Sequence, residues 1–224
     1  MKINIKGTII SNDDKKVYNW FDMDSTCPRD IEEALDKAKK NEEIEVIINS
    51  GGGDVFVGSE IYSLLKDHKG KVTGKIVGLC ASAASVIAMG INNLKMSPTA
   101  QIMIHKASMI SAGNSEDFAK GAEILEGIDK SIANAYILKT GLKQNELLNM
   151  MSKETWLDAK TAKEKGFVDE IMFDEDNKIV ASFNSGVIPP QIINKLRNEF
   201  KEEKQINEKE LEIAKAKLNL QLNL

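Results

Sequence analysis

Strand-like and helix-like patterns alternate through the first three quarters of this chain, and that alternation constrains the fold more than any other feature. Each strand that is followed by a helix can be carried back alongside its neighbour, so the expected product is an α/β domain with strands covered on both faces. MKINIKGTII alternates polar and apolar residues and reads as a strand. Pro28 to Lys40 predicts an amphipathic helix with Ile31, Ala34, Leu35 and Ala38 on one side, and EIEVIINS predicts the next strand. After Gly51, Gly52 and Gly53 the pattern turns helical from Gly58 to Lys66 and closes over Asp67 to Gly70. KVTGKIVGL then reads as a strand, ASAASVIAMG as a helix, and INNLKMSPTAQIMIH as two short strands split at Ser97-Pro98.

A long helix is expected from Ser115 to Lys139, where Phe118, Ala122, Leu125, Ile128, Ile132, Ala135 and Tyr136 recur at helical spacing and Gly141 caps the end. Shorter helices from Gln144 to Met151 and from Asp158 to Lys165 bracket KETWLD, and FVDEIMF reads as a closing strand. The expected division is a folded domain over 1–183, a linker over 184–191 containing SGVIPPQ, and a Lys/Glu-rich tail over 192–224. In that tail Ile192, Leu196, Phe200, Leu211, Ala214 and Leu218 keep helical spacing only in pieces. It reads either as a solvated, marginal, partly disordered helix or as an assembly segment.

Composition narrows the class. With 224 residues, 42% hydrophobic and 29% charged, the chain has material for one large core plus an appendage, which excludes a disordered or collagenous chain. A net charge of -4 gives no general attraction to nucleic acid or to an anionic membrane. Val77 to Ile91 carries no charge but falls short of the ~20 residues a membrane span needs, so a buried helix of a soluble protein is expected, and the first residues lack the apolar core of a secretion signal. Cys27 and Cys80 have no metal-ligand spacing, and a reducing compartment is the default.

Three places could carry chemistry. The strand EVIINS runs directly into GGGDVFVG, leaving backbone amides without side-chain cover and able to approach a ligand, although the same glycines would also serve as a turn. Ser82 falls at the start of an apolar helix and is a candidate nucleophile; Ser82 and Ser85 would equally serve as small residues for close packing. GLCASAASV is not the GxSxG elbow, because Gly78 lies four residues before the serine. His105, after the apolar strand QIMI, is expected to be buried, and His68, in the polar turn DHKG, to be wet. His105 is therefore the imidazole available as general base, and no second histidine stands in metal-ligand spacing. Glu154, Asp158 and Asp169 are the carboxylates that could orient it, and residue chemistry does not choose among them. Asp54 suits the cap of the helix after the glycines.

The ordered set NSGGGDVFVG, GLCASAASVIAMG, SPTAQIMIH and ETWLDAKTAKEKGFVDEI resembles the ClpP family of serine proteases, and within it the phage head maturation branch. The resemblance covers roughly the first three quarters of the chain. It implies a ClpP/crotonase-type fold of stacked ββα units with a projecting long helix, for which the helix from Ser115 to Lys139 is the candidate. It makes Ser82 the nucleophile, His105 the base and Glu154 the acid, where the bacterial subunits have aspartate, with Asp158 as the alternative. The amides of Gly53 and Ala83 become the oxyanion hole, with Gly51 in place of the family's proline. An extended substrate would lie beside Gly52, Gly53 and Asp54.

The function implied is a serine endopeptidase, independent of ATP, that cleaves capsid or scaffold protein during prohead maturation in the host cytoplasm, within or on the assembling shells. It would need no metal or organic cofactor and would work as a homo-oligomer, a ring being one form. A housekeeping Clp subunit working with an ATPase unfoldase is the alternative within the family. A crotonase-like acyl-CoA enzyme and a non-enzymatic capsid or scaffold component are the alternatives from other classes.

Overall fold

The computed structural model describes residues 1–39 and 42–173; the linker over 184–191 and the tail over 192–224 lie outside the described residues. The first strand β1 (Lys2–Ile9) is followed by a short helix α1 (Lys15–Trp20), strand β2 (Ser25–Thr26) and helix α2 (Pro28–Lys37). Next come β3 (Ile44–Gly53), α3 (Val55–Asp67), β4 (Val72–Ala81), α4 (Ala83–Met89), β5 (Asn93–Met96) and β6 (Gln101–Ile104). The long helix α5 (Ser115–Thr140) leads to α6 (Gln144–Ser152), β7 (Thr155–Leu157), α7 (Ala159–Glu164) and β8 (Glu170–Ile171).

The sheet runs β2-β1-β3-β4-β5-β8 with all these neighbours parallel. Strand β4 has a divided edge: Thr73 to Ile76 pair with β5, whereas Leu79 to Ala81 pair with β6. The carboxyl ends of β3, β4 and β6 therefore lie side by side, the place where open parallel sheets bind ligands.

Burial alternates along β1 and β3, with Ile3, Ile5, Ile44, Val46 and Ile48 at 4% exposure or less. Each such side chain contributes about 1.5–3 kcal/mol by leaving water. The expectation of a sheet covered on both faces is corrected by this alternation. The second face carries Lys2, Glu45 and Lys75, with Glu45 bonded to both lysines and its carboxyl held below the ordinary range chiefly by the Lys75 hydrogen bond. Helix α4 is the opposite case, with all seven residues buried. Its small side chains admit α3 closely: a Cβ on Gly58 would come within 3.0 Å of the Ala83 Cβ.

Several boundaries differ from the sequence expectation. Strand β3 extends through all three glycines, and α3 starts at Val55 because Asp54 caps it, its carboxylate accepting the Phe56 and Val57 amides. Helix α2 ends at Lys37, short of Lys40. The closing strand shrinks to Glu170–Ile171. Helix α1 has no side-chain cap and no buried residue, so it left no amphipathic signal. Helix α5 ends where Gly141 adopts φ 73°, the left-handed cap expected of it. Its buried residues, Asp129, Ile132, Ala133, Ala135 and Tyr136, all fall in its second half, while Phe118 and Ile124 in the first half are 55% and 47% exposed.

Candidate active site

Parallel pairing of β4 with β6 brings the candidate nucleophile and the candidate base together. Ala81 faces Met103, so the residues just beyond these strand ends emerge at one edge. The Ser82 amide donates to the Met103 carbonyl at 2.9 Å, and Ser82 Oγ lies 2.7 Å from His105 Nε2. For the hydroxyl to donate across that contact, Nε2 must be the unprotonated nitrogen and the neutral ring must carry its proton on Nδ1.

Ser82 itself is held at φ 55°, ψ -128°, a region that costs a residue with a side chain about 1–3 kcal/mol. Its surroundings impose this. Gly52, at φ 94°, passes so close that a Cβ there would stand 2.6 Å from the Ser82 Cβ and 3.0 Å from the Ala83 amide nitrogen. On the other side, the Ser82 carbonyl accepts from both the amide and the hydroxyl of Ser85, at 2.9 and 2.6 Å.

Ser82, Ala83, His105 and Gly53 all line one cavity of about 370 Å³, whose lining also includes Val86, Ile128, Ile132 and Tyr136. Asp54 is also on its lining, its carboxylate engaged by the start of α3. A serine and imidazole in hydrogen-bond contact beside glycine-loop and helix-start amides can support acyl transfer.

The three carboxylate candidates have separate surroundings. Asp169 accepts the Leu94 amide and the Lys139 ammonium, each at 2.7 Å, and joins β5 to α5. Asp158 caps α7 by accepting the Thr161 amide at 2.7 Å, and that bond holds its carboxyl below the ordinary range. Glu154 is exposed, has φ 48°, and accepts the Trp156 indole N–H at 3.3 Å. Among the described residues no carboxylate is hydrogen-bonded to His105 Nδ1.

The expected contrast of a buried His105 and a wet His68 does not hold. Both are half-buried, and His68 Nε2 is shut away without a partner among the described residues because the turn folds over it. Both cysteines are free and buried, and burial pushes the Cys80 thiol up. Among the described residues no cluster of acids, cysteines and histidines could hold a metal, and no helix is long and apolar enough to cross a membrane.

Sequence reasoning missed two supporting groups. Tyr136, read only as part of the apolar stripe of α5, has its hydroxyl 2.7 Å from Ser85 Oγ. Asp129, 4% exposed, accepts the Ala107 amide at 2.8 Å and lies 3.6 Å from the Lys106 ammonium, fixing the segment that follows His105. An acid interrupting the apolar spacing of Ile128 and Ile132 was the available signal.

Comparison with known proteins gives a consistent picture. The family model described as Clp protease matches residues 32–175. The ATP-dependent Clp protease proteolytic subunit of Deinococcus radiodurans is 30% identical over 140 residues, covering 62% of this chain and 69% of the relative. That of Chlorella vulgaris is 30% identical over 142 residues, covering 62% and 71%. Among solved structures, a point mutant of ClpP1 from Listeria monocytogenes aligns with a TM-score of 0.62 at 21% identity, over 78% of this chain and 92% of the other.

Proposed function

From the premise that this chain belongs to the Clp protease family and is a ClpP-like serine protease, we propose that it is an ATP-independent endopeptidase that processes capsid or scaffold protein during phage prohead maturation. The observation that carries the peptidase chemistry is the 2.7 Å contact between Ser82 Oγ and His105 Nε2, two residues on the lining of the cavity. Ser82 attacks the peptide carbonyl, and His105 takes its proton and returns it to the leaving amine. The Gly53 and Ala83 amides receive the developing oxyanion, a type of donor worth about 3–4 kcal/mol. Glu154 serves as the acid that holds the imidazole tautomer, and an extended substrate lies along Gly52, Gly53 and Asp54.

The phage assignment is supported by the wording of DVFVGSEIY and ASAASVIAMG and by the Lys/Glu-rich segment after residue 192, which offers a means of docking to an assembling shell. It places the protein in the host cytoplasm, within or on proheads. Self-association is supported by the exposed Phe118 and Ile124 on the first half of α5. One observation favours a second reading: the relatives named above are ATP-dependent Clp protease proteolytic subunits, so a housekeeping subunit serving an unfoldase is the competing function.

Fluorophosphonate labelling tests the chemistry: wild type is expected to label, with Ser82→Ala and His105→Ala silent. Labelling that persists in Ser82→Ala would remove the nucleophile. Co-expression with capsid protein, without ATPase, is expected to give discrete cleavage products that disappear in Ser82→Ala. Degradation of unfolded protein only with ATP and a Clp unfoldase would establish the second reading instead.

A further inference from the structure

We propose that Tyr136 and Ser85 form a positioning relay that aims the Ala83 amide into the oxyanion site by fixing the peptide between Ser82 and Ala83. The inference rests on the serine peptidase reading of Ser82. The Ser85 hydroxyl has one proton, and at 2.6 Å from the Ser82 carbonyl oxygen, which can only accept, that proton is committed. The 2.7 Å contact between Ser85 Oγ and the Tyr136 hydroxyl must then be donated by the tyrosine. The bonds therefore run in one direction, from Tyr136 through Ser85 to the carbonyl of Ser82.

A trans peptide points its carbonyl and its N–H in opposite directions. No cis peptide occurs among the described residues, so a donor pulling the Ser82 oxygen toward Ser85 turns the Ala83 N–H the other way. Ala83, Ser82 and His105 line the same cavity, and Gly52 passes close enough to the Ser82–Ala83 peptide that a Cβ on it would stand 3.0 Å from the Ala83 nitrogen. The far end of the relay is equally fixed. Tyr136 is 1% exposed, its ring lies 5.7 Å from that of Phe167, and Ser85 is fully buried. A buried hydroxyl pair on an otherwise apolar helix contact between α4 and α5 is not needed for packing, since phenylalanine and alanine would fill the same space. A device that sets one oxyanion donor acts on the transition state and leaves ground-state binding alone.

The test uses the full chain and a fluorophosphonate, with saturation kinetics separating the maximal inactivation rate from the half-saturating concentration. Tyr136→Phe keeps the ring and removes the donor; Ser85→Ala removes the link. Tyr136→Phe is expected to lower the maximal rate at Ser82 about tenfold and Ser85→Ala somewhat more, with half-saturation unchanged and the double variant no slower than Ser85→Ala. Wild-type labelling at Ser82 with a Tyr136→Phe rate equal to it would overturn the relay alone, as would a loss carried by half-saturation or additive effects in the double variant. Absence of wild-type labelling at Ser82 would overturn the peptidase reading and the relay with it. Should Ser85→Ala fail to fold, the rate of Tyr136→Phe decides by itself.

Discussion

Ile104 and Thr155 form the last antiparallel pair between β6 and β7, so His105 and Glu154 are the residues at which the two strands leave the ladder. Continued by one step, that register would set their Cβ atoms about 4.5–5.5 Å apart. Glu154 turns away at φ 48° to meet the Trp156 indole, but its side chain is exposed and rotates at little cost. Asp158 is committed to the Thr161 amide. Glu154→Ala is therefore expected to lower the turnover of a peptide substrate by roughly 10²- to 10⁴-fold with KM little changed, and Asp158→Ala by far less. The reverse ranking in steady-state kinetics would move the orienting role to Asp158.

Asp158 has a structural consequence that pH exposes. Its carboxyl is held below the ordinary range by the Thr161 amide, so the stability it adds through its charge is fully present above the unfolded value and fades as pH falls through the folded value. Melting temperatures of wild type and Asp158→Ala should differ at neutral pH and converge only as pH is lowered below the ordinary carboxylate value of about 4. A difference that widens on acidification would show that the cap does not act through its charge.

Gly52 is expected to be intolerant of any side chain. A Cβ there meets the Ser82 Cβ at 2.6 Å and the Ala81 carbonyl at 2.7 Å, and φ 94° is itself unfavourable for other residues. Gly52→Ala should cost about 1–3 kcal/mol in urea unfolding from the backbone conformation alone. It should also slow fluorophosphonate labelling of Ser82 by more than about tenfold, because the proposed nucleophile must move. A variant with wild-type labelling would mean that the loop shifts without disturbing the serine.

The fold class was legible because alternation of period 2 with period 3.6 reports which faces are buried, as in Ile44, Val46 and Ile48 against Ile61 and Leu65. The divided edge of β4 was not legible, since β5 and β6 carry equally short strand patterns and nothing local says which half each joins. A run as short as Thr155–Leu157 cannot display a period, so the strand that brings Glu154 to the end of β6 went unread. Ser82 and His105 stood out as chemical types at the ends of apolar segments. Tyr136 and Ser85 did not, because spacing tells which face a residue occupies and says nothing about where its hydroxyl points.

The conformation of Ser82 separates two substitutions that are chemically equivalent for catalysis. Ser82→Ala and Ser82→Gly both remove the hydroxyl and the contact with His105, so neither should label, and the loss of that hydrogen bond is common to both. They differ in the backbone: at φ 55°, ψ -128° alanine keeps the strain that glycine releases. Relief of about 1–3 kcal/mol is offset by the about 0.4–1 kcal/mol of extra freedom that glycine gains in the unfolded chain. Ser82→Gly is therefore expected to be the more stable of the two by about 1 kcal/mol in urea unfolding. Equal stability, or a more stable alanine variant, would mean that the strand-to-helix turn relaxes once the hydroxyl is gone and that Ser82 is not held under backbone strain.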